Sequence, residues 1–240
     1  GITFGTHPLV TRFVKGVFTA RPALPRYKEI WDVSVVLEYL KKLNPHETLS
    51  LKDITYKTVM LVALLSGQRC QTIHALTISG MKQTTDIVTF EINKLLKTSK
   101  PGKHFGCLQF KMYPLDKQLC VKSCIDEYLR RRELLRTDSD PLWLDITKPH
   151  KPVSKDTISR WIKNVLTDAG IDTTRYHAHS TRAASTSAAN ATSLSIDSIM
   201  DAAGWSSENT FRKFYDKPIT KNVNYGEHVL RVSFNSHTKQ

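Results

Sequence analysis

The sequence predicts a mainly α-helical fold with one small antiparallel β-sheet, an α+β architecture. Apolar residues recur at helical spacing along most of the 240 residues, whereas the section from 87 to 112 contains short runs rich in β-branched and aromatic residues. A basic segment with a Pro-Gly turn separates the two strand-like runs of that section. The length suffices for one large domain or two small ones.

The first predicted helix covers 33–43, where apolar residues follow a helical period until a proline stops it. A strongly apolar second helix is expected over 54–65, with Ser50 as its N-cap and Gly67 just after its end. Its composition is that of a core helix. Further helices are expected at 70–76, 117–136, 154–170, 177–190, 195–202 and 207–216.

The strand-like runs at 87–92 and 107–112 are predicted to pair as a β-hairpin. Between them lies the basic segment 94–104, whose Pro101-Gly102 favours a turn. We therefore expect a hairpin with a positively charged tip.

The formal net charge of +13 indicates a polyanionic partner, since no acidic block balances the Lys and Arg residues. A soluble basic protein without such a partner is the alternative. Basic clusters recur at 94–103, 130–132 and 148–163. In the helix 154–170 a solvated basic face is as good an interpretation as contact with DNA. The residues expected to contact DNA are Lys94, Lys100, Lys103, Lys155, Arg160 and Lys163.

The four cysteines are irregularly spaced, and the paired short spacings that bind zinc do not occur. We predict buried reduced thiols, no metal site and no cofactor. Because the sequence shows neither a signal-peptide pattern nor a long apolar run, an intracellular protein without membrane contact is expected.

The stretch from 179 to 215 contains the residue types that phosphoryl transfer needs. His179 and Arg182 stand three apart on one face of a predicted helix, so both can reach one phosphate. Arg69, after the apolar helix, is a second candidate, because guanidinium groups bind two phosphate oxygens and stay charged. Tyr215 is the candidate nucleophile, and Trp205 could offer its indole N–H to a phosphate oxygen.

Each of these residues also has a purely structural interpretation. Most Arg residues are surface charges, a lone His on a helix is more often structural, and Trp205 and Tyr215 taken singly resemble core aromatics. Lys97 on the hairpin is a candidate general acid for the departing oxygen, with the other hairpin lysines as competitors. A basic loop that only binds phosphate is the alternative.

The order of these motifs resembles that of the tyrosine recombinase (phage integrase) family over about residues 30 to 220. The opening HPLVTRFVKGVFTARPALPRYKEIWDV, residues 7–33, further resembles the recombinases of eukaryotic DIRS and Ngaro retroelements. The family's catalytic motifs correspond to Arg69 in SGQRCQTI, Lys97 in LLKTSK, His179 and Arg182 in HSTR, Trp205 in AAGW and Tyr215 in RKFY.

The resemblance implies the tyrosine recombinase catalytic-domain fold and site-specific cleavage and rejoining of DNA through a covalent 3′-phosphotyrosine intermediate. It implies double-stranded DNA as the partner, a homotetramer on DNA that exchanges strands through a Holliday junction, and a role in transposable-element integration in the nucleus. The free chain is expected to be a monomer. A catalytically silent DNA-binding module of the same fold and a type IB topoisomerase are the alternatives.

Three parts of the chain are therefore predicted: a linker or N-terminal arm over 1–29, the catalytic domain over 30–221, and a tail over 222–240 that packs on a neighbouring subunit. About 30 residues precede the first matched helix, too few for the helical DNA-clamping domain of the family. The chain is accordingly expected to be a catalytic fragment or a trimmed protein.

Two positions depart from the family pattern. Thr72 stands where the family often has an acidic residue that braces the first arginine. Tyr215 follows Trp205 by ten residues, where nine is usual, and one extra helical residue turns the chain by about 100°. Either the loop at 206–207 absorbs the extra residue, or Tyr215 points away from the arginines.

Overall fold

The computed structural model describes residues 4–22, 24–97, 99, 102 and 104–220, and in them it confirms the predicted helical class with a small antiparallel sheet. The α-helices are α1 (Pro8–Ala20), α2 (Val33–Lys42), α3 (Leu51–Ser66), α4 (Cys70–His74), α5 (Val121–Arg132), α6 (Lys155–Asp168), α7 (Ser180–Ala191), α8 (Ile196–Ala203) and α9 (Glu208–Phe214). The strands are β1 (Ile30–Trp31), β2 (Met81–Gln83), β3 (Ile87–Glu91), β4 (Cys107–Lys111) and β5 (Ile219–Thr220).

Helix α3 forms the centre of the domain and is buried around almost its whole circumference. It begins where Ser50 Oγ accepts the N–H of Asp53 at 3.1 Å, and it ends at Gly67, whose φ of +57° is left-handed. Helices α5, α6 and α7 pack around it. The expectation of a core helix with these caps is confirmed, and the C-terminal end of α3 comes to lie beside α7.

Strands β2, β3 and β4 form an antiparallel sheet in that order, and β4 packs against α5. In the β3–β4 pair, Val88 lies opposite Phe110 and Phe90 opposite Leu108, and all four side chains are buried. The predicted hairpin is therefore present. Strand β2 was not predicted, because its sequence Met-Lys-Gln carries neither β-branched residues nor an alternating pattern.

A second, two-residue ladder joins the two ends of the domain. β1 pairs in parallel with β5, with Ile30 opposite Ile219, and the Ile30 N–H donates to the Pro218 carbonyl at 2.9 Å. The strand that follows Tyr215 is thereby fixed to the segment that precedes α2. No local sequence signal predicts a pair whose partners are so far apart along the chain.

The region predicted as an arm contains helix α1, in which no residue is buried. Pro8 is its first residue and the His7 ring accepts the N–H of Leu9 at 3.3 Å, a favourable helix start that the sequence reading overlooked. Packing against the core begins at Tyr27, which is buried although it lies within the segment predicted as an arm or linker. The predicted tail, 222–240, lies outside the described residues.

The arginines at the C-terminal end of α5 and just after it do not form the free basic surface that the 130–132 cluster suggested. Arg132 is fully buried and donates to the carbonyls of Leu144 at 3.1 Å and Asp145 at 2.7 Å. Arg136 likewise donates to backbone carbonyls of the loop that follows. A guanidinium that satisfies several carbonyls at once stabilises the loop and is not available to a polyanion.

The described cysteines are free thiols. Cys120 and Cys124 are buried, as expected, and burial raises the pKa of Cys124 to about 12, whereas Cys107 is exposed on β4. Within the described ranges, no helix has the length and apolar character that a membrane crossing requires. The same residues include no cluster of three or more His, Cys, Asp or Glu side chains that could hold a metal ion.

Candidate active site

Arg182 lies at the centre of the candidate site. It extends from the first turns of α7, is 2% exposed, and donates from Nη1 to the Gly67 carbonyl at 2.7 Å and from Nη2 to the Ala203 carbonyl at 2.8 Å. These carbonyls belong to the C-terminal ends of α3 and α8, where the helix dipole favours a positive charge. Arg182 therefore joins two helix ends in addition to facing the site.

Two aromatic rings pack on this guanidinium. Its central carbon lies 4.1 Å from the centroid of the Trp205 ring and 5.4 Å from that of Tyr215, and the two ring centroids are 4.6 Å apart. Trp205 also packs on Phe211 of α9 and belongs to a small buried cluster, so its indole is part of the core as well as a neighbour of Arg182. Arg182 Nε and Trp205 Nε1 are buried donors without a hydrogen-bond partner in the described part of the chain.

The extra residue between Trp205 and Tyr215 does not turn the tyrosine away. Ser207 caps α9 by accepting the N–H of Thr210 at 3.4 Å, so residues 205–207 form a loop rather than a helical turn and absorb the additional residue. The Tyr215 N–H donates to the Phe211 carbonyl at 2.8 Å, and Ser187 Oγ of α7 donates to the Tyr215 carbonyl at 2.8 Å. The tyrosine backbone is thus held against α7.

His179 lies immediately before α7, with its ring centroid 6.0 Å from that of Tyr215 in an edge-on arrangement. Part of its surface remains exposed, yet burial of the ring lowers its pKa to about 4, and the positive charges of Arg69, Arg26 and Arg182 act in the same direction. The imidazole is therefore neutral at pH 7, and one of its ring nitrogens is a hydrogen-bond acceptor.

Arg69 precedes α4 and is partly exposed. Burial, followed by the positive charge of Arg69, lowers the pKa of Arg182, and Tyr215 opposes this shift, so the two guanidiniums are electrostatically close. Arg182 nevertheless remains charged at neutral pH. Thr72, at the position of the expected acidic brace, donates instead to Gln68 Oε1 at 3.2 Å, and Gln68 Nε2 donates to the Ala202 carbonyl at 2.8 Å. The residue before Arg69 is thereby fixed to α8.

The loop of the β-hairpin reaches the same region. The N–H of Lys97 donates to Gln71 Oε1 of α4 at 3.4 Å, while the Lys97 side chain is exposed. At the other end of the loop, Phe105 packs on Gly204, where an added Cβ would lie 2.9 Å from Phe105 Cδ2. The described parts of the hairpin loop therefore contact α4, which follows Arg69, and the end of α8, whose Ala203 carbonyl accepts from Arg182.

Among the residues expected to contact DNA, Lys94, Lys155, Arg160 and Lys163 are described by the structure, and none of these four lines the cavity beside Tyr215. Lys94 is exposed at the start of the hairpin loop, whereas Lys100 and Lys103 lie outside the described residues. On α6 the basic side chains are exposed: Lys155 lies 3.6 Å from Asp156, and Arg160 donates to Thr157 Oγ1 at 3.4 Å, while Lys163 is likewise exposed. These four side chains are therefore accessible to solvent.

Sequence reasoning did not identify the contribution of the N-terminal segment to the site. A cavity of about 250 Å³ is bounded on one side by His179 and Tyr215 and on the other by Arg26 and Tyr27. Arg26 is part of a proline-containing stretch that was interpreted as a linker, and no motif marked it. Its position follows from the burial of Tyr27, which is a tertiary property.

The fold and the site together define a helical domain in which a tyrosine lies against a buried arginine, with a second arginine electrostatically close to the first. The chain belongs to the phage integrase (tyrosine recombinase) family, whose family model matches residues 34–220. The comparison with curated proteins returned no match.

Solved recombinase structures share this fold. The XerA recombinase aligns with a TM-score of 0.58 and 18% identity over 97% of this chain and 75% of its own. The XerH site-specific recombinase bound to its difH substrate aligns with a TM-score of 0.57 and 17% identity over 79% of this chain and 49% of that one. A lambda integrase dimer bound to a COC′ core site aligns with a TM-score of 0.51 and 14% identity over 87% of this chain and 56% of that one. The chain thus spans about half of the XerH and lambda integrase chains.

Proposed function

We propose that this chain cleaves and rejoins DNA strands through a covalent 3′-phosphotyrosine intermediate, with Tyr215 as the nucleophile. The observation that carries the proposal is the contact of the Tyr215 ring with Arg182 and Trp205, at 5.4 Å from the guanidinium carbon and 4.6 Å between ring centroids. A nucleophile beside a buried cation is what attack on a phosphodiester requires.

The unpaired donors of the cluster suit the oxygens of a phosphate. Arg182 Nε and Trp205 Nε1 are both buried and lack partners among the described residues. Leaving such donors unpaired costs about 1–3 kcal/mol each, so a phosphate oxygen placed between them would be stabilised. Arg69, whose charge acts on Arg182, would neutralise the further negative charge that develops as the tyrosine attacks.

Proton transfer in the proposed reaction balances without a cofactor. Tyr215 Oη forms a bond to phosphorus while the bond to the 5′-oxygen breaks, and the phenol proton passes to the neutral imidazole of His179. The departing 5′-oxygen takes a proton from Lys97, our candidate acid on the hairpin loop. In the reverse step a 5′-hydroxyl attacks the phosphotyrosine and restores the DNA strand.

Access to Arg182 requires a side-chain movement. The guanidinium is 2% exposed because Trp205 and Tyr215 cover it. We infer that the Tyr215 ring withdraws from Arg182 when a phosphate enters and then lies in line with the bond to be broken.

The finer parts of the proposal derive from the sequence resemblance. The chain would be the recombinase of a DIRS- or Ngaro-like transposable element, act in the nucleus, and assemble on double-stranded DNA as a homotetramer, while the free chain is a monomer. The exposed residues Lys94, Lys155, Arg160 and Lys163 would contact the backbone of that DNA. The tail, 222–240, would pack on a neighbouring subunit.

A nicked DNA duplex tests the proposal. The duplex is selected from a random-sequence pool for binding to this chain, and a nick beside the cut site lets the released strand diffuse away, so the covalent adduct accumulates. Wild-type protein and Tyr113→Phe, a change at a tyrosine that is 45% exposed and does not line the pocket, should form the adduct, whereas Tyr215→Phe should not. Binding without any adduct would favour the silent DNA-binding module. Relaxation of supercoiled DNA without sequence preference would favour the topoisomerase.

A further inference from the structure

Arg26 occupies the boundary between two cavities. It bounds the 250 Å³ cavity that contains His179 and Tyr215. It also bounds a neighbouring cavity of about 470 Å³ whose other walls include Lys28, Arg175 and His177. A strand of DNA that presents one phosphate to Tyr215 would therefore meet a second set of basic side chains on the Arg26 side.

Within the part of the chain that the structure describes, the charge of Arg26 is not neutralised by an ion pair. Arg26 is exposed and makes no hydrogen bond or ion pair there. Other arginines around the pocket are engaged: Arg175 pairs with Glu29 at 2.9 Å, and Arg182 donates to two backbone carbonyls. Of these three guanidiniums, Arg26 alone keeps all its donors for a ligand.

The backbone next to Arg26 is fixed, so the position of this cation is set by the fold. Tyr27 is 6% exposed and its ring centroid lies 5.5 Å from that of Tyr176. Tyr176 Oη donates to the Glu29 carbonyl at 3.4 Å, and Ile30 pairs with β5. A cation on an anchored segment loses less conformational entropy on binding than one on a free arm.

Three positive charges converge on one imidazole. Arg69, Arg26 and Arg182 each disfavour a proton on His179, which places the Arg26 guanidinium within electrostatic reach of the pocket. Like charges gathered around one imidazole repel each other, and a bound anion lowers that repulsion. Phosphodiesters of DNA are anions with the geometry that guanidinium groups bind.

We propose that Arg26 binds the phosphate of the cleaved strand next to the one that Tyr215 attacks. It is a substrate-binding residue supplied by the segment between α1 and β1, and no catalytic motif of the sequence contains it. The inference rests on the proposed function, because it assumes that the pocket receives DNA.

The salt dependence of DNA binding tests the contact without reference to cleavage. Affinity of the 240-residue chain for a short mixed-sequence duplex is measured over a range of salt concentrations. Arg26→Gln should lower the slope of log K against log salt by about 0.9, one phosphate contact, and Arg26→Lys should retain most of it. The control is Arg130→Gln, which removes the same charge from an exposed arginine paired with Glu127 at 2.8 Å. If Arg26→Gln and Arg130→Gln give the same slope, the inference is wrong.

Cleavage of the nicked duplex provides the second measurement. In single turnover, Arg26→Gln should form the covalent adduct about tenfold more slowly or worse, Arg26→Lys should recover part of the rate, and Arg130→Gln should match the wild type. An Arg26→Gln rate equal to wild type would overturn the inference while leaving the role of Tyr215 intact. Failure of the wild-type chain to form an adduct would defeat the proposed function, and the salt slope would still decide whether Arg26 contacts a phosphate.

Discussion

The guanidinium of Arg182 stacks on the indole of Trp205, with 4.1 Å from the guanidinium carbon to the ring centroid. The same guanidinium holds the carbonyls of Gly67 and Ala203, so it connects the ends of α3 and α8. Arg182 thus contributes both to the packing of the domain and to the proposed chemistry. A mutation of Arg182 or Trp205 can therefore change stability as well as activity.

Replacing Arg182 should cost stability as well as activity. Arg182→Ala leaves two buried carbonyls without donors, and we expect a loss of about 3 kcal/mol or more in the unfolding free energy, measured by urea denaturation. Arg130→Ala, which removes an exposed arginine, should lose much less stability than Arg182→Ala. Equal stability of the two variants would show that the carbonyl contacts contribute nothing. Arg182→Lys keeps the charge and is the better variant for cleavage assays.

Trp205→Phe should separate the packing role of the indole from its N–H. The phenyl ring still packs on Phe211 and Arg182, so the loss in unfolding free energy should stay well below the ~3–5 kcal/mol typical of a buried Trp→Ala truncation. Loss of the unpaired Nε1 donor should slow formation of the covalent adduct by about tenfold or more. Trp161→Phe, in the core beside Tyr56, serves as the control and should not alter the rate. A rate unchanged in Trp205→Phe would remove the indole from the proposed mechanism.

His179 should remain neutral at pH values well below the ordinary pKa of a histidine. NMR titration of the DNA-free protein should give a pKa of about 4, and Arg69→Gln should raise it, because a neighbouring positive charge is removed. The unfolded chain binds this proton below about pH 6.5 and the folded chain does not until about pH 4. The unfolding free energy should therefore fall as the pH decreases through that window.

Comparison with His179→Gln isolates this contribution to the pH dependence of stability. Burial also lowers the pKa of His46, so part of the dependence has the same sign and persists in the variant. The difference between wild type and His179→Gln should grow as the pH falls from about 6.5 to about 4. A titration of His179 near 6.5 in the wild type would contradict the environment described here.

Gly204→Ala should displace the hairpin loop. Its φ is +69°, and an added Cβ would lie 2.9 Å from Phe105 Cδ2, so the substitution combines backbone strain with a steric clash. Gly102→Ala is the matched control, since Gly102 has a φ of +73° and open space around it. We expect Gly204→Ala to lower the unfolding free energy by about 1–3 kcal/mol more than Gly102→Ala does. Equal effects on the unfolding free energy would mean that Phe105 can move away from residue 204 without a loss of stability.

Lys97 can be tested with a substrate that needs no acid. Lys97→Ala should slow cleavage of the ordinary phosphodiester, because the 5′-oxygen must be protonated as it leaves. A bridging 5′-phosphorothiolate leaves as a thiolate and should be cleaved by Lys97→Ala and by wild type at similar rates. Lys94→Ala should not show this rescue. If Lys94→Ala shows it and Lys97→Ala does not, the acid is Lys94.

Local signals explain what the sequence predicted well. Helix α3 follows from an apolar run between a capping Ser50 and a left-handed Gly67, both of which depend only on neighbouring residues. The hairpin of β3 and β4 follows from composition in the same way. The motif order also identified the residues that the structure gathers around Arg182, although it could not say how Tyr215 would be oriented.

Contacts between distant parts of the chain explain what was missed. The β1–β5 pair and the burial of Tyr27 bring a segment interpreted as a linker up to the tyrosine pocket. A cluster of arginines looked like a polyanion site, yet Arg132 is buried against backbone carbonyls. The sequence gives the number of charged residues, whereas burial and hydrogen-bond partners determine which of these residues a ligand can reach.

The double attachment of Arg182 bears on how such domains lose activity during evolution. A lineage that no longer needed strand transfer could replace Tyr215 by phenylalanine and keep its ring packing, but it could not discard Arg182 without loosening two helix ends. Retention of this arginine in a relative is therefore weak evidence that the relative is an active enzyme. Retention of the tyrosine, and with it the phenolic oxygen, is stronger evidence of activity.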